Sequence, residues 1–204
     1  ALHGVAEAGA LATTFTSSPM SEKVDEWSAA GKKNMFGQPV RLVEMQSEAG
    51  AAGALHGVAE AGALATTFTS SQGLLLMIPN LYIMAGHRMP AVFHVAARSV
   101  AQHANNIFGD HQDVMSCRTT GVTMMSTGSV QEVMDLAAVA HLPPIKTRVP
   151  FIHFHDGFRT SHEIQKIEVI DLDKVEKLLD RQALEDYHAI AMNPEHPVMR
   201  TTVQ

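Results

Sequence analysis

Short apolar runs alternate with longer stretches of helical spacing along the chain. Val40-Arg-Leu-Val-Glu-Met45, residues 66–69, Ala91-Val-Phe-His-Val95, Gly121-Val-Thr-Met-Met125, Val149-Pro-Phe-Ile-His-Phe154 and the short Ile167-Glu-Val-Ile170 read as strands. The unbroken apolar run at 91–95 marks a strand covered on both faces. Helices are expected between them. One opens at Pro19, a favoured first position, with Ser18 as its cap, and stops at Gly31. Residues 47–64 form an Ala/Gly-rich helix, and 72–85 an apolar one that breaks or ends near Pro79. A short helix covers 110–118. Ser129-Val-Gln-Glu132 is a capping box opening a helix to about His141, with Pro143-Pro144 beyond its end. A charged amphipathic stretch fills 173–191. Strands alternating with helices predict an α/β fold: a doubly wound, mostly parallel sheet with helices on both faces. Ligands of such sheets sit at the carboxyl ends of strands, here residues 46–48, 96–98 and 156–159.

Residues 1–18, ALHGVAEAGALATTFTSS, recur unchanged at 54–71. Two copies are too few for a solenoid. A recent segmental duplication, or an artefact of gene assembly, explains them better. Each copy carries a strand-like Ala-Leu-Ala-Thr-Thr-Phe-Thr followed by Ser-Ser, a plausible helix cap. The copies then run into different helices, so one segment is expected to serve twice as a strand-to-helix joint, with 10–16 pairing in the sheet and 1–9 left out. The domain division follows: 1–18 a duplicated segment standing in for a native first strand, 19–192 the α/β domain, and 193–204 the start of a linker. Asn193-Pro-Glu-His-Pro197 and the polar end after it read as a linker cut short, hence a piece of a longer protein.

Composition narrows the classes. Hydrophobic residues make up 46% and charged residues 18% of 204, enough for a core. Fifteen basic against 21 acidic side chains, a net charge of −6, exclude a non-specific nucleic-acid binder. The one cysteine, Cys117, excludes an internal disulfide framework, a four-cysteine zinc site and an iron–sulfur cluster ligated within the chain. The longest purely apolar run, 74–79, is far below the ~18 residues that span a bilayer. A reducing, cytoplasmic setting fits.

Glu48 is the first candidate for chemistry. It follows a strand and opens a helix of very small residues, Ala49-Gly-Ala-Ala-Gly53. A carboxylate there is favoured by the helix dipole alone, worth ~0.3–1 kcal/mol. Small neighbours also admit a flat ligand, whose ring nitrogen the carboxyl could share a proton with. Arg98 closes the strand Phe93-His-Val-Ala-Ala97, where a guanidinium suits either a surface ion pair or bidentate capture of a carboxylate. His153 and His155 share a strand face beside Asp156. That is two nitrogens of a zinc set, but buried hydrogen-bonded histidines are the better reading. Gly109-Asp-His111 is a turn that could present an acid–base pair. Cys117 reads as a small core residue. Walker, dinucleotide, zinc-protease and nucleophile-elbow motifs are all absent.

Several collinear stretches closely resemble the N-terminal domain of the pyruvate:ferredoxin (flavodoxin) oxidoreductases. They are Ser17-Ser-Pro-Met20 with Asp25-Glu-Trp27, Lys33-Asn-Met-Phe-Gly-Gln38, Glu44-Met-Gln-Ser-Glu-Ala-Gly-Ala-Ala-Gly53 and Ser71-Gln-Gly-Leu-Leu-Leu-Met-Ile-Pro-Asn80. Phe93-His-Val-Ala-Ala-Arg98, Ile107-Phe-Gly-Asp-His111, Ser129-Val-Gln-Glu-Val-Met134, Asp156-Gly-Phe-Arg-Thr-Ser-His-Glu163 and the 193–197 run continue them. The resemblance implies the pyrimidine-binding fold of a thiamine-diphosphate enzyme. It implies that Glu48 bonds the N1′ nitrogen of the cofactor and so promotes loss of the thiazolium C2 proton. It implies that Arg98 binds the substrate carboxylate. The family's Thr-Pro-Ser-Ser loop reads Phe15-Thr16-Ser17-Ser18 here, so Phe15 stands where the family has its substrate-contacting threonine and Thr16 is one place late. The resemblance further implies pyruvate as substrate, coenzyme A as acyl acceptor, ferredoxin or flavodoxin as electron acceptor, and a homodimer. Mg2+, the pyrophosphate-binding domain and the [4Fe-4S] clusters belong to domains this chain lacks, so alone it should not turn over substrate. The alternatives are a non-catalytic scaffold remnant of the same fold, or an oxidoreductase for another 2-oxoacid.

Overall fold

The structure is a computed structural model and describes residues 11–14, 19–101, 107–192 and 194–195. Six strands are present among them: β1 (Leu11–Thr14), β2 (Leu42–Glu44), β3 (Ala65–Ser70), β4 (Val92–Ala97), β5 (Thr123–Thr127) and β6 (Phe151–Asp156). All pair in parallel, in the order β2-β1-β3-β4-β6-β5. The helices between them are α1 (Pro19–Ala29), α2 (Glu48–Glu60), α3 (Ser71–Gly86), α4 (Gln112–Ser116), α5 (Val130–Val139) and α6 (Leu142–Thr147). Three more follow β6: α7 (Arg159–His162), α8 (Leu172–Leu178) and α9 (Arg181–Ala189).

The strand order explains which helices cover which face. The steps β2→β3, β3→β4 and β4→β5 move one way along the sheet, and β1→β2 and β5→β6 the other way. Right-handed crossovers put the two sets on opposite faces. The packing agrees. Ala51, Ala52 and Leu55 of α2, Leu74, Met77, Leu81 and Met84 of α3 and Val114 of α4 share one core with Phe93, Val95, Ile152 and Phe154. Val24 of α1 and Ala137 of α5 meet Phe68 in a second. The sheet is therefore doubly wound, as the alternating pattern predicts, and its direction reverses between β1 and β3.

The strands that the two repeat copies contribute, β1 and β3, are neighbours in the sheet. Leu11 pairs with Ala65 and Thr14 with Phe68, so the copies are offset by one residue from their own identity. Residues 1–10 and 15–18, including Phe15, Thr16 and Ser18, lie outside the described residues, as does most of 193–204.

Four expectations need correction. Helix α3 runs unbroken through Pro79. Pro79 is solvent-facing, and four fully buried side chains at 74, 77, 81 and 84 anchor the helix on both sides of it. At about 1.5–3 kcal/mol each, that burial outweighs the ~3 kcal/mol cost of an internal proline. Pro143-Pro144 does not simply follow a helix end but fills the first turn of α6, where no N–H is missed. Residues 167–170 form no strand; one glutamine replaces a partner strand, with Gln131 Oε1 accepting from Glu168 N at 2.8 Å and Gln131 Nε2 donating to Glu168 O at 2.9 Å. The 173–191 stretch is two helices, because Asp180 breaks it and caps α9 through Ala183 N.

Candidate functional site

Because all strands run in parallel, their carboxyl ends share one edge, and among the described residues Glu48 and Arg98 lie along it. Ser47 caps α2 by accepting from Gly50 N at 3.1 Å, which sets Glu48 in the first turn, partly exposed. Its side chain lies against the first turn of α3. A Cβ placed on Gly73 would stand 2.8 Å from Glu48 Cγ and Oε1 and 2.7 Å from Thr69 Oγ1. Glycine is needed at 73 for this close approach. Thr69 is buried, and among the described residues its hydroxyl has no hydrogen-bond partner, nor has that of buried Thr67. Register puts both threonines on the α2/α3 face: Thr67 opposite Phe93 and Thr69 opposite Val95.

The corner between β3 and α3 is held from below. Ser70 occupies the cap position, but its side chain makes no capping bond, contrary to the expectation for Ser-Ser. Ser71 instead takes a left-handed φ of 49°, of order 1–3 kcal/mol for a non-glycine residue. Its N–H donates to Asp113 Oδ2 at 2.9 Å and its hydroxyl to Ser99 O at 2.8 Å. The same Asp113 Oδ2 accepts from Arg98 N at 3.0 Å. Asp113 is fully buried. Burial pushes its carboxyl up, while the N–H groups of Arg98, Val114 and Ser71 pull the other way. One carboxylate thus ties the β3–α3 corner to the end of β4.

Arg98 is partly buried and held twice, by Asp113 at its backbone and by Gly157 O, to which its Nε donates at 2.7 Å. A Cβ at Gly157 would lie 2.5 Å from Arg98 Cγ and from Ala97 O. Among the described residues no partner takes the two terminal guanidinium nitrogens. Asp156 caps the turn after β6, accepting from Phe158 N at 3.0 Å and from Arg159 N. Burial would raise its carboxyl, but these N–H groups hold it below the usual range.

His153 and His155 do not converge as ligands. His155 Nδ1 donates to Asp156 O at 3.0 Å. His153 belongs to a buried chain: Thr127 Oγ1–His153 Nε2 at 3.2 Å, His153 Nδ1–His94 Nδ1 at 2.9 Å and His94 Nε2–His141 Nε2 at 3.3 Å. Thr127 donates to Phe154 O, so it accepts from His153, and the rest of the chain follows: His94 donates from Nδ1 and His141 from Nε2. Burial, then the neighbouring imidazoles, lowers His94 well below its ordinary value, His141 to about 3 and His153 to about 4. Cys117 is a buried core thiol, pushed up to about 12 by burial and by Asp113. A cleft of 740 Å³ lies at the other edge of the sheet, between the starts of β2 and β3 and helix α9, away from Glu48 and Arg98.

Sequence reasoning missed Asp113, choosing the neighbouring Gly109-Asp-His111 turn. It also missed Thr69 and Gly73. A carboxylate inside the short helix expected over 110–118 was the available signal for Asp113, which the structure places in the first turn of α4; nothing in the sequence marks an unpartnered threonine.

The fold is shared with a solved 2-oxoacid oxidoreductase. The 2-oxoglutarate:ferredoxin oxidoreductase from Magnetococcus marinus superposes with a TM-score of 0.63 at 16% identity, over 82% of this chain and 31% of that one. Residues 17–204 match the model of the family described as pyruvate flavodoxin/ferredoxin oxidoreductase, thiamine diphosphate-binding, and the chain belongs to that family. It is 62% identical over 198 residues to the pyruvate-flavodoxin oxidoreductase of Klebsiella pneumoniae and 58% identical over 202 to the pyruvate:ferredoxin oxidoreductase of Moorella thermoacetica. Those matches cover 97% and 99% of this chain and 17% of each relative, so the chain spans about a sixth of their length. Among the described residues no helix is long and apolar enough to cross a membrane.

Proposed function

We propose that this chain is the pyrimidine-binding part of a thiamine-diphosphate-dependent pyruvate oxidoreductase, acting within a longer cytoplasmic polypeptide that dimerises. Residues 19–192 form the binding domain and 193–204 begin the connection to the rest. The observation that carries the reading is the Glu48 carboxylate pressed into the notch left by Gly73, beside the unpartnered Thr69 hydroxyl. An aminopyrimidine is flat and edged with nitrogen acceptors and an amino donor. A carboxyl group, a missing Cβ and an unspent hydroxyl suit it.

Bound there, the cofactor would supply a nucleophilic carbon and an electron sink for decarboxylation of a 2-oxoacid. Glu48 holds a proton at the ring nitrogen. Arg98, fixed by Asp113 and Gly157, offers its terminal nitrogens as a fork to the pyruvate carboxylate. Thr16 stands beside the family's threonine position, which Phe15 occupies, and is the weaker substrate contact. Mg2+, the pyrophosphate site, coenzyme A and the [4Fe-4S] clusters that feed ferredoxin or flavodoxin fall to the other domains. Cys117, single and buried, supplies no cluster ligand.

The test uses the chain joined to those domains. Glu48→Gln should slow exchange of the thiazolium C2 proton, followed by NMR, by about 10²–10⁴-fold. Exchange at the parent rate removes the role given to Glu48. Phe15 favours a second reading, a scaffold remnant of the same fold. Calorimetry with thiamine diphosphate and the partner domains in trans separates the two, since a remnant gives no Glu48-dependent heat.

A further inference from the structure

At the far ends of α2 and α3, away from Glu48 and Gly73, two imidazoles and a carboxylate converge. His56 and Glu60 are one turn apart on α2, and His87 is the residue that closes α3. His56 Nε2 is 3.2 Å from Glu60 Oε1, His87 Nδ1 is 2.9 Å from the same oxygen, and the two nitrogens are 3.3 Å apart. The three side chains are largely covered, the histidines 20% exposed and Glu60 12%.

A carboxylate only accepts. If both nitrogens donate to it, two N–H groups crowd each other at 3.3 Å. If one nitrogen is bare, its lone pair faces the oxygen. A cation among the three takes one lone pair from each of the three ligand atoms. A tetrahedral ion with bonds of about 2.0–2.1 Å sets its ligand atoms about 3.3 Å apart, near the edges observed. The i, i+4 spacing of His56 and Glu60 turns both to one face of α2, and His87 arrives from the neighbouring helix.

We propose that His56, Glu60 and His87 bind a divalent transition cation of the zinc type, with water completing its shell on the exposed side. Two imidazoles and one carboxylate suit zinc over the hard cations, which prefer oxygen alone. Such an ion pins the last turn of α2 to the end of α3. Glu48 lies eight residues before His56 on α2, about 12 Å along the helix, so the site is separate from the one assigned to thiamine diphosphate and stands independently of it.

The experiment uses the purified 204-residue chain, stripped with a chelator and then titrated. Zn2+, measured against a chromophoric chelator, should bind at one equivalent and raise the melting temperature. Co2+ should give the visible absorption of a low-coordinate nitrogen/oxygen site. Glu60→Gln and His87→Gln should each weaken zinc binding by about tenfold or more and remove the cobalt band. Glu60→Gln keeps the side chain's size, so it serves if His87→Gln folds poorly; circular dichroism at matched concentration establishes which variants are folded. A parent chain that takes up no zinc, or zinc held with unchanged affinity in a folded variant, overturns the proposal.

Discussion

Asp113 shows how much one buried carboxylate can organise. Its Oδ2 accepts from Ser71 on one side and Arg98 on the other, so the strained start of α3 and the root of the guanidinium share an anchor. Asp113→Asn keeps the shape but can turn an amide N–H toward two donors. Hydrogen bonds to a charged group are worth about 1.5–3 kcal/mol, so thermal denaturation should show a loss of several degrees. A melting temperature unchanged from the parent would mean that the carboxylate anchors nothing. Gly73→Ala separates packing from binding. Alanine favours a helix by about 1 kcal/mol, yet here its methyl meets Glu48 and Thr69. Stability should move little while Glu48-dependent binding of thiamine diphosphate, measured by calorimetry in the joined polypeptide, falls. The positions of Glu48 and Arg98 were legible because each follows a strand in a distinctive string of neighbours. Asp113 was not, because its importance lies in two backbone N–H groups 42 and 15 residues away.

The histidines of β4, β6 and the α5–α6 junction form an element of their own. In the chain Thr127–His153–His94–His141 every imidazole is neutral and gives one proton onward. A further proton would set two N–H groups face to face. The folded values lie below the ordinary 6.5, so protons are taken up by the unfolded chain first as pH falls. Stability is therefore full above about pH 6.5 and drops below it, by up to about 1.4 kcal/mol per pH unit for each histidine. Urea midpoints at pH 7.5 and 5 should differ accordingly, and His141→Gln should flatten the slope by up to one proton. Equal midpoints would contradict the burial. The alternation of strands and helices announced this architecture, since period and turn residues are local properties. The uninterrupted α3 and the missing strand at 167–170 were not announced. Burial across the core decided the first, and the lack of a neighbouring strand decided the second.

The parallel sheet brings the ends of β3, β4 and β6 to one edge, which is why residues distant in sequence share a site. The chain covers about a sixth of its relatives' length, and calorimetry on it alone should detect no tight thiamine diphosphate. Supplying the remaining domains should restore Glu48-dependent binding; tight binding without them would show that the pyrimidine half suffices.

Identical segments also compete. β1 and β3 share the string Ala-Thr-Thr, yet they fill adjacent slots one residue out of step. Nothing inside either strand tells the folding chain which slot to take. The decision falls to what comes next, Pro19-Met20 leading into α1 or Gln72-Gly73 leading into α3. Threading of the sheet's centre is thus chosen by its helices. A slow refolding phase that vanishes when residues 11–14 are rewritten would register the mistakes they correct.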